Sequence, residues 1–254
     1  MLDNPYRLDD RTIIVTGASR GIGAAVARTA ARQGANLVLV ARSKSALESL
    51  ADELPTTIRI VDGDVSDTET AERALEAAEE IGSRVWGLVN NAGINPYYGP
   101  IVETPLHEWD DVLRVNLLGA AVFARAVGRV MIEQGGGRIV NLGSIAGLTG
   151  LPNIGPYNAS KAAMDALTRT LAVELGPSGV LVNSIAPGTI RSEMVDGLLT
   201  ANPALAERLV AKAPIGRVGD CQEAAEPIVF LLTDAASFIT GHVLVVDGGR
   251  LAAG

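Results

Sequence analysis

Short apolar runs alternate along the chain with longer segments in which apolar residues recur at the spacing of a helix. Most of the short runs are continuously apolar, whereas a strand with one wet face alternates apolar and polar residues. Continuous runs are typical of parallel strands that are covered on both faces. The runs predicted as strands are 12–16, 36–40, 58–61, 86–89, 138–142, 180–185 and 242–246.

The segments between these runs are predicted as helices: 21–33, 44–54, 67–81, 105–133, 156–176 and 220–233, with the fourth helix broken near Gly119. Regular alternation of strand and helix indicates right-handed βαβ units and one parallel sheet. The sequence therefore predicts a single α/β domain over residues 1–254. This domain is a doubly wound Rossmann-type fold, with a seven-stranded parallel sheet and helices on both faces.

Residues 188–219 depart from this rhythm, because they hold no strand signal, several prolines and glycines, and scattered apolar side chains. The segment follows the carboxyl end of a strand, where an α/β fold places structure that covers the substrate. We therefore expect a mobile lid over about residues 188–219, with a pair of small packing helices as the alternative.

The net charge and the amino-acid composition argue against several classes of function. A net charge of -8 argues against a nucleic-acid partner, which requires a basic face. The single cysteine excludes an intramolecular disulfide and suits a reducing, cytoplasmic location. We expect neither a signal peptide nor a membrane span, since no charge-free apolar run is long enough. His107 and His242 are isolated, so no metal site is expected.

A glycine-rich loop joins the first predicted strand to the first helix. It contains Gly17, Gly21 and Gly23, which permit a tight turn and a close approach of the backbone to a pyrophosphate. The pyrophosphate would then lie at the helix N-terminus. A carboxylate that would bind the ribose 2′-hydroxyl is missing after the second strand, where Ala41 precedes Arg42, and Arg20 lies within the loop. The pattern predicts NADP(H), with NAD(H) as the less favoured cofactor.

Tyr157 and Lys161 are four residues apart in a predicted helix, so they stack one turn apart on the same face. A free tyrosine has a pKa of about 10 and gives up its proton poorly at pH 7. A neighbouring ammonium favours the phenolate and lowers the pKa of the phenol. The pair is a candidate acid or base, although the same spacing also occurs in surface pairs on helices.

The ordered motifs along nearly the whole chain resemble those of the short-chain dehydrogenase/reductase family. The residues that carry the resemblance are Gly17, Gly21 and Gly23 after Thr16, Asp64 and Val65, the Asn90–Gly93 segment, Asn116, Ser144, Tyr157 with Lys161, and Pro187 with Gly188. The resemblance implies a cofactor-binding half at about residues 8–143 and a catalytic and substrate half at about 144–254.

The resemblance also implies catalytic roles. Tyr157 would be the general acid in carbonyl reduction, and Lys161 would lower its pKa and hold the nicotinamide ribose. Ser144 would bond the substrate oxygen, and Asn116 would interrupt its helix to hold a water in a proton relay. The implied cofactor contacts come from Gly17, Ser19, Arg20, Gly21, Ile22, Gly23, Arg42, Asp64, Val65, Asn90, Ala92, Gly93, Tyr157, Lys161, Pro187, Gly188, Ile190 and Ser192.

Within this set, Asp64 would meet the adenine amino group, Asn90 and Gly93 would form the floor under the adenosine ribose, and Ser192 would replace a threonine. The predicted substrate pocket is mostly apolar, which suits an acyl chain, an alicyclic ketone or another small hydrophobic carbonyl. Its predicted lining is Ile94, Asn95, Tyr97, Tyr98, Ile145, Ala146, Leu148, Leu151, Asn153, Ile154 and Met194.

Segments 182–188, 214–219 and 240–249 are similar to those of 3-oxoacyl-[acyl carrier protein] reductases. We therefore expect an NADPH-dependent reductase of a 3-oxoacyl or other small hydrophobic ketone. Such reductases usually offer arginines on both long central helices, and here Arg129 is present on the first while Val173 stands on the second. With the acidic net charge, this departure makes an acyl carrier protein the less favoured partner.

Two other functions stay open from the residues. One is an NAD-dependent dehydrogenase of a secondary alcohol, a polyol or a steroid, and the other is a catalytically inactive nucleotide-binding regulator. The intact Ser144, Tyr157 and Lys161 set argues against the second. The family resemblance also implies a homotetramer, to which the C-terminal residues Phe230, Phe238 and Val243 could contribute.

Overall fold

The computed structural model describes residues 4–191 and 203–253, with the side chains of residues 203–206 excluded. One parallel sheet of seven strands has the order β3-β2-β1-β4-β5-β6-β7. Each predicted strand is present, with its ends within two residues of the prediction. The strands are β1 Arg11–Thr16, β2 Asn36–Ala41, β3 Ile58–Asp62, β4 Arg84–Asn90, β5 Gly137–Leu142, β6 Val180–Pro187 and β7 Val243–Val246.

Alternate residues of the central strands enter two separate apolar cores. Ile13 and Leu37 are buried in one core, with α1 and α8, whereas Ile14 and Val38 are buried in the other, with α3 and α5. Both faces of the sheet are therefore covered, which explains why the strands are continuously apolar. The helices are α1 Gly21–Arg32, α2 Lys44–Asp52, α3 Thr68–Ile81, α4 Leu106–Leu113, α5 Gly119–Glu133, α6 Gly155–Leu175, α7 Pro203–Ala211 and α8 Cys221–Leu232.

The predicted break near Gly119 is wrong, because α4 and α5 are joined by a π-helical turn over Arg114–Leu118. The Gly119 amide donates to the Arg114 carbonyl, which is the i to i+5 bond of a π turn. A Cβ on Gly119 would lie 2.8 Å from the Val65 Cγ2 atom, so this glycine serves close packing and does not end the helix.

The run Leu106–Glu133 is long and apolar enough, by length and composition alone, to cross a membrane. However, Phe123, Val127 and Met131 of this run are buried in the core that the sheet forms with α3. Packing within the fold therefore accounts for the high hydropathy, as it does in core helices of α/β domains.

The segment predicted as a lid contains α7 and is tied at its base, where Ile190 and Gly219 form a parallel β-bridge. A helix within residues 188–219 agrees with the alternative of packing helices as well as with a lid. Residues 192–202 lie outside the described part of the chain, and with them the predicted site residues Ser192 and Met194. The mobility of the lid stays a prediction.

Candidate active site

A cavity of about 450 Å³ lies at the carboxyl ends of β4, β5 and β6. This volume is in the usual range of small-molecule and cofactor sites, and ligands of doubly wound folds bind at this edge of the sheet. The sequence-predicted site residues that line the cavity are Ile22, Gly93, Ile94, Asn95, Tyr98, Ser144, Ile145, Ala146, Leu151, Ile154, Tyr157, Lys161, Pro187, Gly188 and Ile190.

The loop after β5 and the first turns of α6 bring three polar side chains together. Pro156 stands in the first turn of α6, where a missing amide costs no helical hydrogen bond. Tyr157 and Lys161 follow one turn apart, and the Lys161 Nζ atom lies 5.5 Å from the centroid of the Tyr157 ring. Ser144 begins a short 3₁₀ turn, in which its Oγ atom accepts from the Ala146 amide at 3.1 Å.

The pKa of Tyr157 is raised above its ordinary value, because burial disfavours the phenolate, and a hydrogen bond with Ser144 opposes the rise. The expected lowering of this pKa by Lys161 is therefore not found in the chain alone. The Lys161 Nζ atom donates to the Leu142 carbonyl at 2.6 Å. A phenol of raised pKa stays protonated at neutral pH, which is the state that a general acid requires.

Lys161 is almost completely buried, with a relative exposure of 2%. Burial lowers the pKa of its ammonium to about 8, and the carboxylate of Asp165, one helical turn further on, opposes that fall. Asp165 is itself buried, and its Oδ1 atom accepts from the Ser184 hydroxyl at 2.9 Å. Asp165 thus favours the charged form of Lys161 at neutral pH.

The π turn places the side chain of Asn116 behind the cavity, where it is fully buried. Its Oδ1 atom accepts from the Ile94 amide at 2.7 Å, and its Nδ2 atom donates to the Ile94 carbonyl at 3.0 Å and to the Ser160 Oγ atom at 3.1 Å. Ser160 in turn donates to the Tyr157 carbonyl at 2.8 Å. Asn116 therefore links the loop after β4 to the helix that carries Tyr157, while its role in a water relay stays a prediction.

The glycine loop is held by Asn91, which the sequence analysis did not select. Its Nδ2 atom donates to the Thr16 and Gly17 carbonyls at 2.9 and 3.0 Å. Gly17 has a φ of +64°, and a Cβ on Gly23 would lie 2.3 Å from the Gly17 oxygen, so both positions require glycine. The signal for Asn91 was its place in the same Asn90–Gly93 motif.

The start of α1 fits a pyrophosphate. The first amides of any helix have no intrahelical partner, and at α1 no side chain caps them and no acidic residue stands in the first turn. Gly21, with a φ of +58°, has no atom within 4 Å of the place where a Cβ would stand. Open space in front of unpartnered helix amides is what an anionic dinucleotide needs.

Asp64 and Arg42 are predicted contacts for the adenosine end of the cofactor. The Asp64 Oδ1 atom accepts from the Ser66 amide and hydroxyl at 2.9 and 2.6 Å. The hydrogen bond from the Ser66 hydroxyl is the main cause that holds the pKa of Asp64 below its ordinary value. The Ser66 amide and the charges of Arg114 and Arg42 lower this pKa further. Arg42 is exposed and makes no hydrogen bond to a described residue, so its guanidinium is accessible to a phosphate.

Several predicted residues do not line the cavity. The Asn90 Nδ2 atom donates to the Asn141 Oδ1 atom at 2.9 Å and to the Ala120 carbonyl at 3.3 Å, so its side chain joins β4, β5 and α5, and its place under a ribose stays a prediction. The lining residues also do not include Tyr97, Leu148 and Asn153. The structure adds lining residues that the sequence analysis missed: Asn91, Leu142, Gly143, Pro152, Thr189, Arg208, Leu209, Lys212 and Arg250.

The chain matches, over residues 17–250, the family model described as enoyl-(acyl carrier protein) reductase. It is 38% identical over 252 residues to 2-(S)-hydroxypropyl-CoM dehydrogenase 3 of Xanthobacter autotrophicus, covering 97% of this chain and 98% of that one. It is 39% identical over 240 residues to the human 3-oxoacyl-[acyl-carrier-protein] reductase, covering 94% and 98%.

Among solved structures, 7α-hydroxysteroid dehydrogenase complexed with NADH and 7-oxo glycochenodeoxycholic acid matches with a TM-score of 0.91 at 30% identity, covering 96% of each chain. These relatives carry different substrates in their names, so the similarity gives the class of reaction and not the substrate. It gives an oxidoreductase that acts on CH–OH groups, or on the corresponding ketones, with NAD(P)(H). The chain belongs to the short-chain dehydrogenase/reductase family.

Proposed function

We propose that the protein reduces a small hydrophobic ketone to a secondary alcohol with NADPH, and that Tyr157 is the general acid. The observation that supports this most strongly is the convergence of Ser144, Tyr157 and Lys161 on one cavity with mostly apolar walls. Reduction needs the phenol protonated, and burial holds the pKa of Tyr157 above its ordinary value, so the phenol has a proton to donate at neutral pH.

The bound cofactor supplies the hydride that reaches the carbonyl carbon. Tyr157 gives its phenolic proton to the carbonyl oxygen, and Ser144 hydrogen-bonds the same oxygen while negative charge develops there. Lys161 keeps a positive charge beside the phenolate that forms on Tyr157. Gly93 leaves room along this lysine, since a Cβ there would lie 3.6 Å from the Lys161 Nζ atom. A dinucleotide ribose would occupy that room.

The preference for NADPH is supported by Arg42, which stands exposed after β2, and by Arg20 in the glycine loop. A 2′-phosphate on the ribose would find a guanidinium where NAD-dependent relatives of this fold offer a carboxylate. We expect NADPH to bind at least about 10-fold more tightly than NADH, and Arg42→Ala to remove most of that difference. Equal or tighter binding of NADH would refute this part of the proposal.

The substrate class is tested with a panel of ketones and acyl thioesters, by following the loss of NADPH absorbance. We expect turnover of small hydrophobic ketones or 3-oxoacyl thioesters that fit a cavity of about 450 Å³. Turnover of polyols with NAD, and of no ketone, would favour the alternative dehydrogenase. Absence of turnover with every substrate and both cofactors, despite bound NADPH, would favour the inactive regulator.

We further propose a homotetramer in the cytoplasm. Val173 on α6 is 77% exposed and Phe238 near the C-terminus is fully exposed, whereas Phe230 and Val243 are partly buried. Large apolar side chains in water indicate contact surfaces. Light scattering should give four times the monomer mass, and a monomeric mass would rule the assembly out. The exposed Val173 also supports the expectation that an acyl carrier protein is the less favoured partner.

A further inference from the structure

The lining of the cavity carries one sign of charge. Four cationic residues, Lys161, Arg208, Lys212 and Arg250, contribute to it, and none of the described lining residues is an aspartate or a glutamate. The chain as a whole has a net charge of -8, so this lining runs against the overall composition. A cleft with walls of one charge focuses the electrostatic potential and concentrates ligands of the opposite charge.

Arg208 and Lys212 form an unusual pair. Arg208 lies in α7 and Lys212 directly follows it, four residues apart, so both project from the same face. Both are exposed, and within the described part of the chain neither side chain makes a hydrogen bond or an ion pair. Like charges at this spacing repel each other slightly, so the fold gains nothing from the pair.

Other cations in the same region are paired. The Arg217 Nη1 and Nη2 atoms donate to the Glu223 carboxylate at 2.6 and 2.7 Å. Arg250 is partly buried after β7, and its Nη1 atom donates to the Thr189 Oγ1 atom at 3.2 Å. This bond fixes the position of Arg250, which is one of the residues that line the cavity. Arg208 and Lys212 are thus two cations at the cavity without a described partner of opposite charge.

The lining of the cavity is otherwise largely apolar, with Ile145, Leu151, Ile154 and Leu209 among its residues. We propose, resting on the function proposed above, that the substrate is a ketone whose far end carries a carboxylate. Its carbonyl lies at Ser144 and Tyr157, its apolar body lies along this apolar lining, and Arg208 and Lys212 bind the carboxylate. Charge-assisted bonds to Arg and Lys are the strong class of hydrogen bond to such a group.

The pyrophosphate of the cofactor is the other anion that these cations could face, and the experiment separates the two. The probes are methyl ketones of increasing chain length that end in a carboxylate, each paired with its primary amide. Binding is measured by calorimetry on the complex of the wild-type protein with NADP⁺, which requires no turnover. We expect the best carboxylate to bind about 10-fold more tightly than its amide, and this ratio to fall as salt is added.

In the double variant Arg208→Gln/Lys212→Gln, the carboxylate and its amide should bind about equally well, and their kcat/KM values should be about equal. The NADPH dissociation constant should change less than about twofold. Arg59→Gln is the matched control, because Arg59 is half-buried, pairs with Glu80 at 3.0 Å and lies on the edge strand β3. This control should keep the wild-type ratio.

Three results would overturn the inference: no preference for carboxylates in the wild type, a preference that survives in the double variant, or a large loss of NADPH affinity in that variant. The last result would assign the cations to the cofactor. Failure of the proposed function is a separate outcome. A carboxylate preference in binding, lost in the double variant but accompanied by no reduction of any ketone, would uphold the anion site and refute the reductase.

Discussion

Replacing Asp165 by asparagine should shift the pH dependence of the enzyme, because Asp165 is the acidic group that favours the charged form of Lys161. The replacement keeps the shape of the side chain. The Asp165 Oδ1 atom accepts from Ser184 at 2.9 Å, a bond that asparagine can retain, and its Oδ2 atom is buried without a hydrogen-bond partner. The change therefore removes a charge with little loss of packing.

The size of the effect follows from the helical spacing. Side chains one turn apart lie about 6 Å from each other. Two unit charges at that distance interact by about 3 kcal/mol at an effective dielectric constant of about 20. An interaction of this size corresponds to a shift of about 2 pH units in the pKa of Lys161. Relaxation of the site will reduce the shift, so we expect the pKa of Lys161 to fall by about 1 pH unit.

The direction of the pH effect follows from the charge that Lys161 must carry. Lys161 must be charged to stabilise the phenolate of Tyr157, so activity falls as pH rises through its pKa of about 8. In Asp165→Asn the same fall should occur about 1 pH unit lower. Relative to the wild type, kcat should be nearly unchanged at pH 6 and about fivefold lower at pH 8.

The measurement is the pH profile of kcat with saturating NADPH and ketone, together with the lysine Nζ titration followed by NMR. Asp52→Asn is the control, because Asp52 is exposed at the end of α2, away from the cavity. An alkaline limb at the same pH in Asp165→Asn and the wild type would show that this carboxylate does not act on Lys161. The NMR titration keeps the test decisive if the variant is also less stable.

Three further substitutions test the scaffold and the cofactor site. Asn116→Ala leaves the amide and carbonyl of Ile94 without their buried partners, so the free energy of unfolding in urea should fall by about 2 kcal/mol, and an unchanged midpoint would contradict this. Gly93→Ala places a Cβ 3.6 Å from the Lys161 Nζ atom, so it should fold normally but weaken NADPH binding about 10-fold, as titration of the cofactor would show. Gly23→Ala, by contrast, should unfold more easily, because its Cβ would lie 2.3 Å from the Gly17 oxygen.

The sheet could be predicted from the sequence because its strands are buried on both faces. Ile13 and Ile14 enter different cores, so both positions must be hydrophobic. The resulting continuous apolar run identifies the strand in the sequence. The helix around Gly119 was predicted less well. Glycine usually signals a break, but here Val65 approaches the backbone of the helix from another part of the chain, which no local pattern records.

The residues of the site could be selected from the sequence, whereas their pKa values could not. Tyr157 and Lys161 were predictable as a pair, since i, i+4 residues on α6 must share a face, whereas Ser144 came from the family resemblance. The raised pKa of Tyr157 depends on burial, against which a hydrogen bond with Ser144 acts, and both are consequences of tertiary packing.

Arg208 and Lys212 were not predicted as cavity residues, for a related reason. Arg208 and Lys212 have a recognisable spacing, but only the folded chain shows that they share a cavity with Tyr157. A cationic pair on a helix is usually a solvated surface, and sequence alone gives no distance to the catalytic residues. Their position at the cavity is what separates them from an ordinary charged pair such as Arg59 and Glu80.

The central claim is that the Tyr157 hydroxyl supplies the proton in hydride transfer to a ketone. The most direct test is the single-turnover rate of NADPH oxidation by Tyr157→Phe with a ketone that the wild type reduces. We expect the rate to fall by at least about 100-fold, with the NADPH dissociation constant within about twofold of the wild type. An unchanged rate with normally bound NADPH would contradict the assignment.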